Sequence, residues 1–436
     1  MTPQSSFMIL APIRPARIGA MRALLATMNS GPGTANPDNP MIPFSRFDNL
    51  HSARLVLLDD QTIGDPEEFY GVQRPDPPIY LAFLGDFDGT YDAFISLLVQ
   101  HAAPGLRRIF SLCEGFSADE DVRAWMIAHE TRPSAYYCNY VGRTVQQTRE
   151  EERLRRALRR HLDRSPEVAD GPPGAVHESL RRFVRAEKAA GRLTLTPPAP
   201  TPLGWTVRHA FDWAILVLLV IVLVVTLPLT LVPLAILALV LHAQESSAPE
   251  FAPPPDHRLA MSLAVLEDYD VTNQFSAMGP WKPGWLRALI IPPVLWIINL
   301  TASTIYTKGR LTRIHTIHFA RWVYLDNRTR LLFASVYDGS LESYNEDFIN
   351  KVAIGLNIVF GNGVGYPRTA WLITKGCKDE QKFKYFLRRH ELPTDVWYNA
   401  HPGLTAFDLL RNSTIRNGLE KVSLSQREAR EWVALL

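Results

Sequence analysis

One long apolar run constrains this chain more than any other feature. Between residues 211 and 241 the sequence is almost entirely Leu, Val, Ile and Ala, with one Asp and two Thr as its polar exceptions. A helix that crosses a bilayer needs roughly 20 consecutive apolar residues. The run exceeds that length, so the sequence predicts that a segment spanning 205–243 lies in the cell membrane.

Two prolines near the middle of the run leave its shape open. Pro228 and Pro233 each remove a backbone donor from a helix. One interpretation is a single tilted membrane helix. The other is a helical hairpin, in which two half-length helices enter the bilayer and turn back at the prolines.

The charges beside the run predict its orientation. Basic residues precede it and acidic residues follow it, and an excess of Lys and Arg marks the cytoplasmic side of a membrane segment. We therefore expect the soluble parts to face the cytoplasm. A basic helical and Pro-rich linker (149–204) leads into the membrane segment, and a second linker (244–270) follows it. The helix within 149–164 either lies against anionic lipid or packs its leucines on the protein.

The sequence before the membrane segment resembles the sequence after it. His51-Ser-Ala-Arg54 matches His318-Phe-Ala-Arg321, and in each case a Leu-Asp pair follows shortly afterwards. Phe87-Asp-Gly-Thr90 matches Tyr337-Asp-Gly-Ser340. Further matches appear in the same order in both parts. The sequence therefore predicts an internal duplication.

Each copy reads as β-α-β-β-α-β, the order of a ferredoxin-like module. We expect an α+β protein with module 1 in 1–148 and module 2 in 271–436. In module 1 the strand Ala135–Val141 is expected to close the module's own sheet. Each sheet then needs a partner for its second face, so the two are expected to pack face to face about a pseudo-twofold axis. Copies that pair must lie on one side of the membrane, which favours the hairpin.

Several of these segments resemble a known family. His318-Phe-Ala-Arg-Trp-Val-Tyr-Leu-Asp326, Tyr337-Asp-Gly-Ser340 and Gly365-Tyr-Pro-Arg368 are similar to a largely uncharacterised bacterial family of membrane-attached proteins. Its members carry tandem ferredoxin-like modules of the dimeric α+β barrel type. The resemblance covers most of the chain outside residues 150–270.

A more distant resemblance is to dye-decolourising haem peroxidases. Those enzymes bind haem in one of two such modules, through a proximal histidine and a distal Asp in a Gly-Phe-Arg-Asp-Gly stretch. Here Gly85-Asp-Phe-Asp-Gly89 is similar, with Asp-Phe in place of Phe-Arg. The resemblance implies haem as a cofactor and peroxidase-like oxidoreductase chemistry.

Three histidines are candidate cofactor ligands. His51 and His318 occupy equivalent places at the start of a strand, and a histidine that faces the space between sheets is a candidate ligand for haem iron, with His318 the expected metal ligand. Strand alternation predicts that His318 shares a sheet face with Ala320 and Trp322. His401 has no counterpart in the first copy, so it is a candidate for a specialised role. The alternative for each is a polar anchor.

The remaining candidates are two arginines and two aspartates. Arg54 and Arg321 lie among apolar strand residues, where an unpaired guanidinium is costly. Asp88 and Asp338 each end the next strand and are their expected partners. The functional alternative is an anion or propionate clamp formed by Arg54 and Arg321, with Asp88, Asp338 and Arg321 in catalytic roles.

Charge and motifs exclude several functions. A net charge of +2 argues against a nucleic-acid partner. The sequence lacks GxGxxG, Walker A, HExxH, GxSxG and paired CxxC motifs. Two functions remain: a haem-binding, peroxidase-like oxidoreductase at the lipid surface, or a non-enzymatic membrane-surface protein that binds a lipid, a hydrophobic small molecule or a partner.

Overall fold

The computed structural model describes residues 1–309 and 311–436, and it has an α+β fold. The strands are β1 (Gln4–Pro12), β2 (Asn29–Gly31), β3 (Thr34–Ala35), β4 (Leu50–Leu58), β5 (Tyr80–Asp88), β6 (Ala135–Cys138), β7 (Thr272–Pro280), β8 (Ile317–Leu325), β9 (Arg330–Asp338), β10 (Thr369–Ala370), β11 (Thr374–Lys375) and β12 (Thr394–Asn399). The helices are α1 (Ile18–Ala26), α2 (Asp65–Tyr70), α3 (Tyr91–Phe110), α4 (Val122–Ala128), α5 (Val145–Asp163), α6 (Pro166–Ala169), α7 (Pro173–Ala189), α8 (Leu203–Ser247), α9 (His257–Ala264), α10 (Trp285–Thr304), α11 (Leu341–Lys351), α12 (Ala353–Phe360), α13 (Glu380–His390), α14 (Ala406–Glu420) and α15 (Gln426–Val433).

Two four-stranded sheets form the centre of the molecule. Sheet 1 has the strand order β1-β5-β4-β12, and sheet 2 has the order β6-β8-β9-β7. All the strand pairs in both sheets are antiparallel. Each sheet therefore takes three strands from one half of the chain and its fourth strand from the other half.

This exchange of strands corrects one expectation. The segment predicted to close the first sheet forms β6, but β6 pairs with β8 in sheet 2, with Tyr137 opposite Ala320. In return β12 pairs with β4 in sheet 1, with Tyr398 opposite Ala53. The two halves are consequently joined by backbone hydrogen bonds in both sheets, and the boundary at residue 148 does not separate two self-contained sheets.

The sheets pack face to face between two helical layers. Along β1, Phe7 and Ile9 belong to a buried cluster with helices α1, α3 and α4, while Met8 faces the other way. Met8 packs in a second cluster with Val323 and Leu332 of sheet 2. The other face of sheet 2 packs on α10 to α13. The order helix, sheet, sheet, helix follows from the alternation of side chains along each strand.

The linker before the apolar helix is folded on the protein. Helices α5 and α7 pack with α14 and α15 through a buried cluster that contains Leu154, Leu158, Leu180 and Ile415. Of the two interpretations of the basic segment, the structure therefore supports packing of its leucines on the protein. The basic residues of α5 occupy the remaining faces, and Glu152 forms ion pairs with Arg155 and Arg156.

The apolar segment forms one helix, so the favoured hairpin is wrong. Helix α8 is continuous through Pro228 and Pro233. Thr226 and Thr230 donate hydrogen bonds to the carbonyls four residues before them, at 2.7 and 3.0 Å. Proline is tolerated in apolar membrane helices, and these threonine bonds lie in the turns beside the two prolines.

Helix α8 contacts the rest of the protein near both of its ends. Toward its start, His209 Nδ1 lies 3.1 Å from the carbonyl oxygen of Ser303, at the end of α10. Toward its end, Glu245 accepts backbone hydrogen bonds from Trp371 and Leu372 at 2.6 and 2.9 Å. The apolar residues between these contacts are largely exposed.

Two of the described helices, α8 and α10, are long and apolar enough to cross a membrane. This is a criterion of length and composition only, and core helices of soluble proteins also meet it. None of the most apolar window of α8 is buried, against 33% of that of α10. The exposed apolar surface is a weak and non-specific indication of membrane association.

Candidate functional site

A cavity of about 120 Å³, with apolar and polar residues in its wall, lies between residues of the two sheets. His51, His318 and His401 all line it, so the structure brings the three candidate histidines to one place. The other polar residues of its wall are Gln4, Ser52, Asn139, Tyr140, Arg143, Thr148, Thr272, His315 and Asn399. Residues from the starts of α5 and α14 complete the wall.

A β-bulge places each strand histidine in this wall. The register between β4 and β5 shifts between Leu50 and Ser52, so His51 is the extra residue. The register between β8 and β9 shifts in the same way around His318. A bulge disrupts the ladder locally and redirects a side chain. Ala320 and Trp322 consequently pack with the helices, and His318 does not share their face as strand alternation predicted.

Each strand histidine pairs with an aspartate. His51 Nε2 lies 2.9 Å from Asp88 Oδ1, and His318 Nε2 lies 2.6 Å from Asp338 Oδ1. All four side chains are buried. Because a carboxylate only accepts hydrogen bonds, Nε2 is the protonated nitrogen of both rings. The Nδ1 atom of each histidine is then the nitrogen that is not bound to the aspartate.

The two aspartates also bind the first turns of helices. Val145, at the start of α5, donates its backbone N–H to Asp88 Oδ2 at 2.8 Å. Ala406, at the start of α14, donates in the same way to Asp338 Oδ2 at 2.7 Å. A carboxylate at a helix N-terminus satisfies an unpaired donor and complements the helix dipole. Each aspartate therefore links a strand, a helix and a histidine.

His401 extends one of the two His–Asp pairs. Its Nε2 lies 3.4 Å from Nδ1 of His51. With His51 protonated on Nε2, His401 is the donor in this contact, and its own Nδ1 has no hydrogen-bond partner among the described residues. Burial is the largest cause that holds the pKa of His401 well below its usual value. His401 is therefore neutral at pH 7.

The two arginines do not pair with Asp88 and Asp338, which corrects that expectation. Both reach across to the opposite sheet instead. Arg54 donates to the carbonyl oxygens of Phe275 and Ser335 at 2.8 and 2.7 Å. Arg321 donates to the carbonyl oxygen of Phe7 at 2.9 Å and forms an ion pair with Asp86. Both arginines hold the sheets together and neither lines the cavity.

Asp86 is a residue whose importance the sequence did not indicate. It is buried, and it accepts hydrogen bonds from Ser52 at 2.9 Å and from Tyr136 at 3.1 Å, besides pairing with Arg321. At the equivalent position of the second half stands Val336, so Arg54 has no such partner. Burial and the nearby Arg321 lower the pKa of Arg54 to about 9.

Asn139 and Asn399 are two more site residues that sequence reasoning missed. Asn139 directly follows the exchanged strand β6, and Asn399 is the last residue of the exchanged strand β12. Asn139 Oδ1 and Asn399 Nδ2 are buried and have no hydrogen-bond partner among the described residues. The one available signal was that each lies within two residues of an aromatic pair, Tyr136-Tyr137 or Trp397-Tyr398.

Haem does not fit this cavity. Pockets for ligands of ordinary small-molecule size measure roughly 300–1,000 Å³, well above the 120 Å³ present here. The Nε2 atoms of His51 and His318 are occupied by aspartate. Neither arginine is placed to hold a propionate, since both bind backbone carbonyls of the opposite sheet. The haem and peroxidase hypotheses thus find no support in the geometry.

The cavity also lacks an activated nucleophile. Cys138 lines it, but burial, and next the nearby Asp86, raise the pKa of this thiol. A thiol needs a lowered pKa to act as a nucleophile at neutral pH. Elsewhere among the described residues, Glu342, Glu346 and Glu380 form an exposed acidic cluster. Lys384 pairs with two of these three carboxylates, which accounts for their proximity without a metal ion.

Comparison with known proteins finds no match to this chain among protein-family models, curated proteins or solved structures. The resemblance to a bacterial family of tandem modules, and the internal duplication, therefore stay predictions. The matched bulges, His–Asp pairs and helix starts in the two halves are consistent with both.

Proposed function

We propose that this chain is a membrane-surface binding protein. In this proposal α8 and α10 hold it at a lipid bilayer, and the cavity between the sheets binds a small polar molecule. The residues that bind the molecule are His401, Asn139 and Asn399, with His51 and His318 positioned beside them by Asp88 and Asp338. The activity is binding, without a chemical step.

The observation that carries the proposal is a group of unpaired polar atoms. His401 Nδ1, Asn139 Oδ1 and Asn399 Nδ2 are buried and have no partner among the described residues, and their three residues line one cavity. A buried polar group without a hydrogen bond costs about 1–3 kcal/mol. The three atoms offer two acceptors and one donor, so a small molecule with complementary groups removes this cost.

The proposal for the membrane rests on the shape and surface of α8. A 45-residue helix is about 67 Å long, and the hydrocarbon core of a bilayer is about 30 Å thick. The same folded unit contacts α8 at His209 and at Glu245. These contacts favour a helix that stays on one side of the bilayer with its apolar surface in the lipid.

Ligand binding in the cavity is tested by releasing and identifying any bound molecule. We expect mass spectrometry of denatured, purified protein to find one small polar molecule in near-stoichiometric amount. In His401→Phe, which fills the space and removes the acceptor, that molecule is expected to be absent. Equal amounts in both proteins, or none in either, argue against ligand binding. The same samples after haem addition are expected to show no Soret band.

Membrane attachment is tested with a matched pair of substitutions. Leu229 lies in α8 and is 81% exposed, and Val422 lies outside α8 and is 82% exposed. Lysine is disfavoured by a few kcal/mol at the centre of an apolar membrane segment. We expect Leu229→Lys to lower co-flotation with phosphatidylcholine vesicles by about tenfold and Val422→Lys to leave it unchanged. An equal effect of the two substitutions contradicts the proposal.

A further inference from the structure

A second pocket, of about 320 Å³, lies beside the start of α10 and is rich in cations. Arg74, Lys282, Arg287 and Arg328 line it. No acidic residue is among the described residues of its wall, where Trp281, Tyr324 and Asn327 provide further polar groups. The pocket is therefore positively charged and suits an anionic ligand.

Two of these cations are buried without a carboxylate partner. Lys282 is 9% exposed, and its Nζ donates to the carbonyl oxygen of Gly361 at 2.9 Å. Arg287 is 3% exposed and donates to Asn362 Oδ1 at 2.8 Å. Neither forms an ion pair in the part of the chain that the structure describes. A buried charge is normally paired, so two adjacent ones with neutral partners call for an anion.

Two further groups of hydrogen-bond donors favour an anionic ligand. Trp281 is 6% exposed, and its indole N–H has no hydrogen-bond partner within the described residues. Helix α10 begins at Trp285, after Gly284, with no side chain capping its first N–H groups. Free N–H groups at a helix N-terminus attract anions, and phosphate in particular.

We propose that this pocket binds the phosphate of an anionic lipid headgroup. Phosphate suits the pocket because it accepts several charge-assisted hydrogen bonds at once. A lipid is favoured over free phosphate because the exposed Trp285 and Leu289 of α10 directly follow Gly284 and Ala288 of the pocket wall. Tryptophan is enriched at the level of lipid headgroups, and apolar side chains suit the acyl chains. This inference rests on the proposed membrane attachment.

Burial and the neighbouring Arg287 lower the pKa of Lys282 to about 7. A phosphate in contact with Lys282 Nζ favours the charged ammonium and raises that pKa again. The charge of Glu245 raises the pKa of Lys282, but Glu245 forms no ion pair with Lys282 among the described residues, and its carboxylate is bound by Thr369, Trp371 and Leu372. Direct contact between Lys282 and an anion in the pocket is therefore left to the ligand.

The test compares flotation on phosphatidylcholine vesicles with and without phosphatidic acid. We expect the wild-type chain to bind the vesicles with phosphatidic acid more tightly. Lys282→Gln with Arg328→Gln removes two charges from the pocket and is expected to reduce this gain about tenfold. The control, Arg182→Gln with Arg185→Gln, removes two exposed charges of α7 and is expected to keep it. Arg328→Gln alone, at an exposed position, is expected to lose part of the gain.

The outcomes separate this inference from membrane attachment itself. A wild-type chain that floats equally well with both vesicle types overturns the headgroup site and leaves the membrane proposal standing. If the wild-type chain floats with neither vesicle type, the membrane proposal is wrong. If the pocket and control variants lose the phosphatidic acid gain equally, the gain comes from general surface charge, and the headgroup site is wrong. Calorimetric binding of inorganic phosphate without any gain from phosphatidic acid assigns the pocket to free phosphate and overturns the lipid assignment.

Discussion

The two arginines that cross between the sheets have different surroundings, and this difference predicts different costs of removal. Arg321 is paired with the buried Asp86, and Arg54 binds neutral oxygens. Arg321→Met leaves a buried carboxylate unpaired, which typically costs about 3–5 kcal/mol. Arg54→Met removes the donor from two buried carbonyl oxygens, which typically costs about 1–3 kcal/mol of stability. We therefore expect Arg321→Met to lower the free energy of unfolding more than Arg54→Met does.

Chemical denaturation in detergent measures this difference. The second substitution Asp86→Asn, added to Arg321→Met, is expected to restore part of the lost stability, because it removes the unpaired charge. The same Asp86→Asn change in the wild-type chain is expected to destabilise it, because it breaks the ion pair with Arg321. Equal effects of Arg321→Met and Arg54→Met contradict the ion-pair argument.

Lys282 predicts a dependence of stability on alkaline pH. Burial lowers its pKa from 10.5 to about 7 in the folded protein. Between these two values the unfolded chain binds a proton that the folded chain does not, so stability rises with pH through this window, by about 1.4 kcal/mol per pH unit at most. We expect Lys282→Gln to flatten the rise in the free energy of unfolding from pH 7 to 10. An equally steep rise in the variant contradicts the assignment.

At the scale of elements, the sequence predicts more of the secondary structure than of its pairing. The strand expected at Ala135–Val141 is β6, Ala135–Cys138, so its place in the chain was predicted although its sheet was not. The exchange of β6 and β12 was missed because a strand has the same alternating pattern whichever sheet receives it. The bulges at His51 and His318 were missed because an inserted residue is not visible in that pattern.

A disulfide tests the exchange of strands directly. Tyr137 of β6 lies opposite Ala320 of β8, a spacing that suits a disulfide between paired strands. In a background without the native cysteines, Tyr137→Cys with Ala320→Cys is expected to form a disulfide on oxidation. The control is Tyr137→Cys with Ala53→Cys, since Ala53 is the residue that a sheet without exchange would place opposite Tyr137. Electrophoresis without reductant distinguishes the two, and a disulfide in the control alone contradicts the exchange.

At the scale of the whole molecule, the long apolar segment shows what the sequence could and could not predict. Its apolar character was evident, and α8 exposes that surface. Its continuity was not, because prolines such as Pro228 and Pro233 break most helices but are tolerated in apolar membrane helices. The site was predicted in the same partial way. His51, His318 and His401 meet in one cavity, but their partners depend on contacts that only the fold creates.

The proposed position of α8 on one side of a bilayer leads to a prediction for the whole protein. Between His209 and Glu245 a helix rises by roughly 54 Å, so a perpendicular crossing would place these residues in different compartments. The folded unit contacts both, through Ser303 and Trp371, and cannot lie on two sides of a membrane at once.

Labelling with a membrane-impermeant maleimide tests this arrangement. Thr201→Cys and Ser247→Cys introduce exposed thiols just before and at the end of α8, in a background without the native cysteines. We expect both to react in inverted membrane vesicles, where the cytoplasmic face is outward, and neither to react in intact spheroplasts. Leu229→Cys, in the middle of the helix, is expected to resist labelling in both preparations because lipid covers it. Reaction of Thr201→Cys and Ser247→Cys from opposite sides would establish a crossing helix, and the contacts at Ser303 and Trp371 could not then form together.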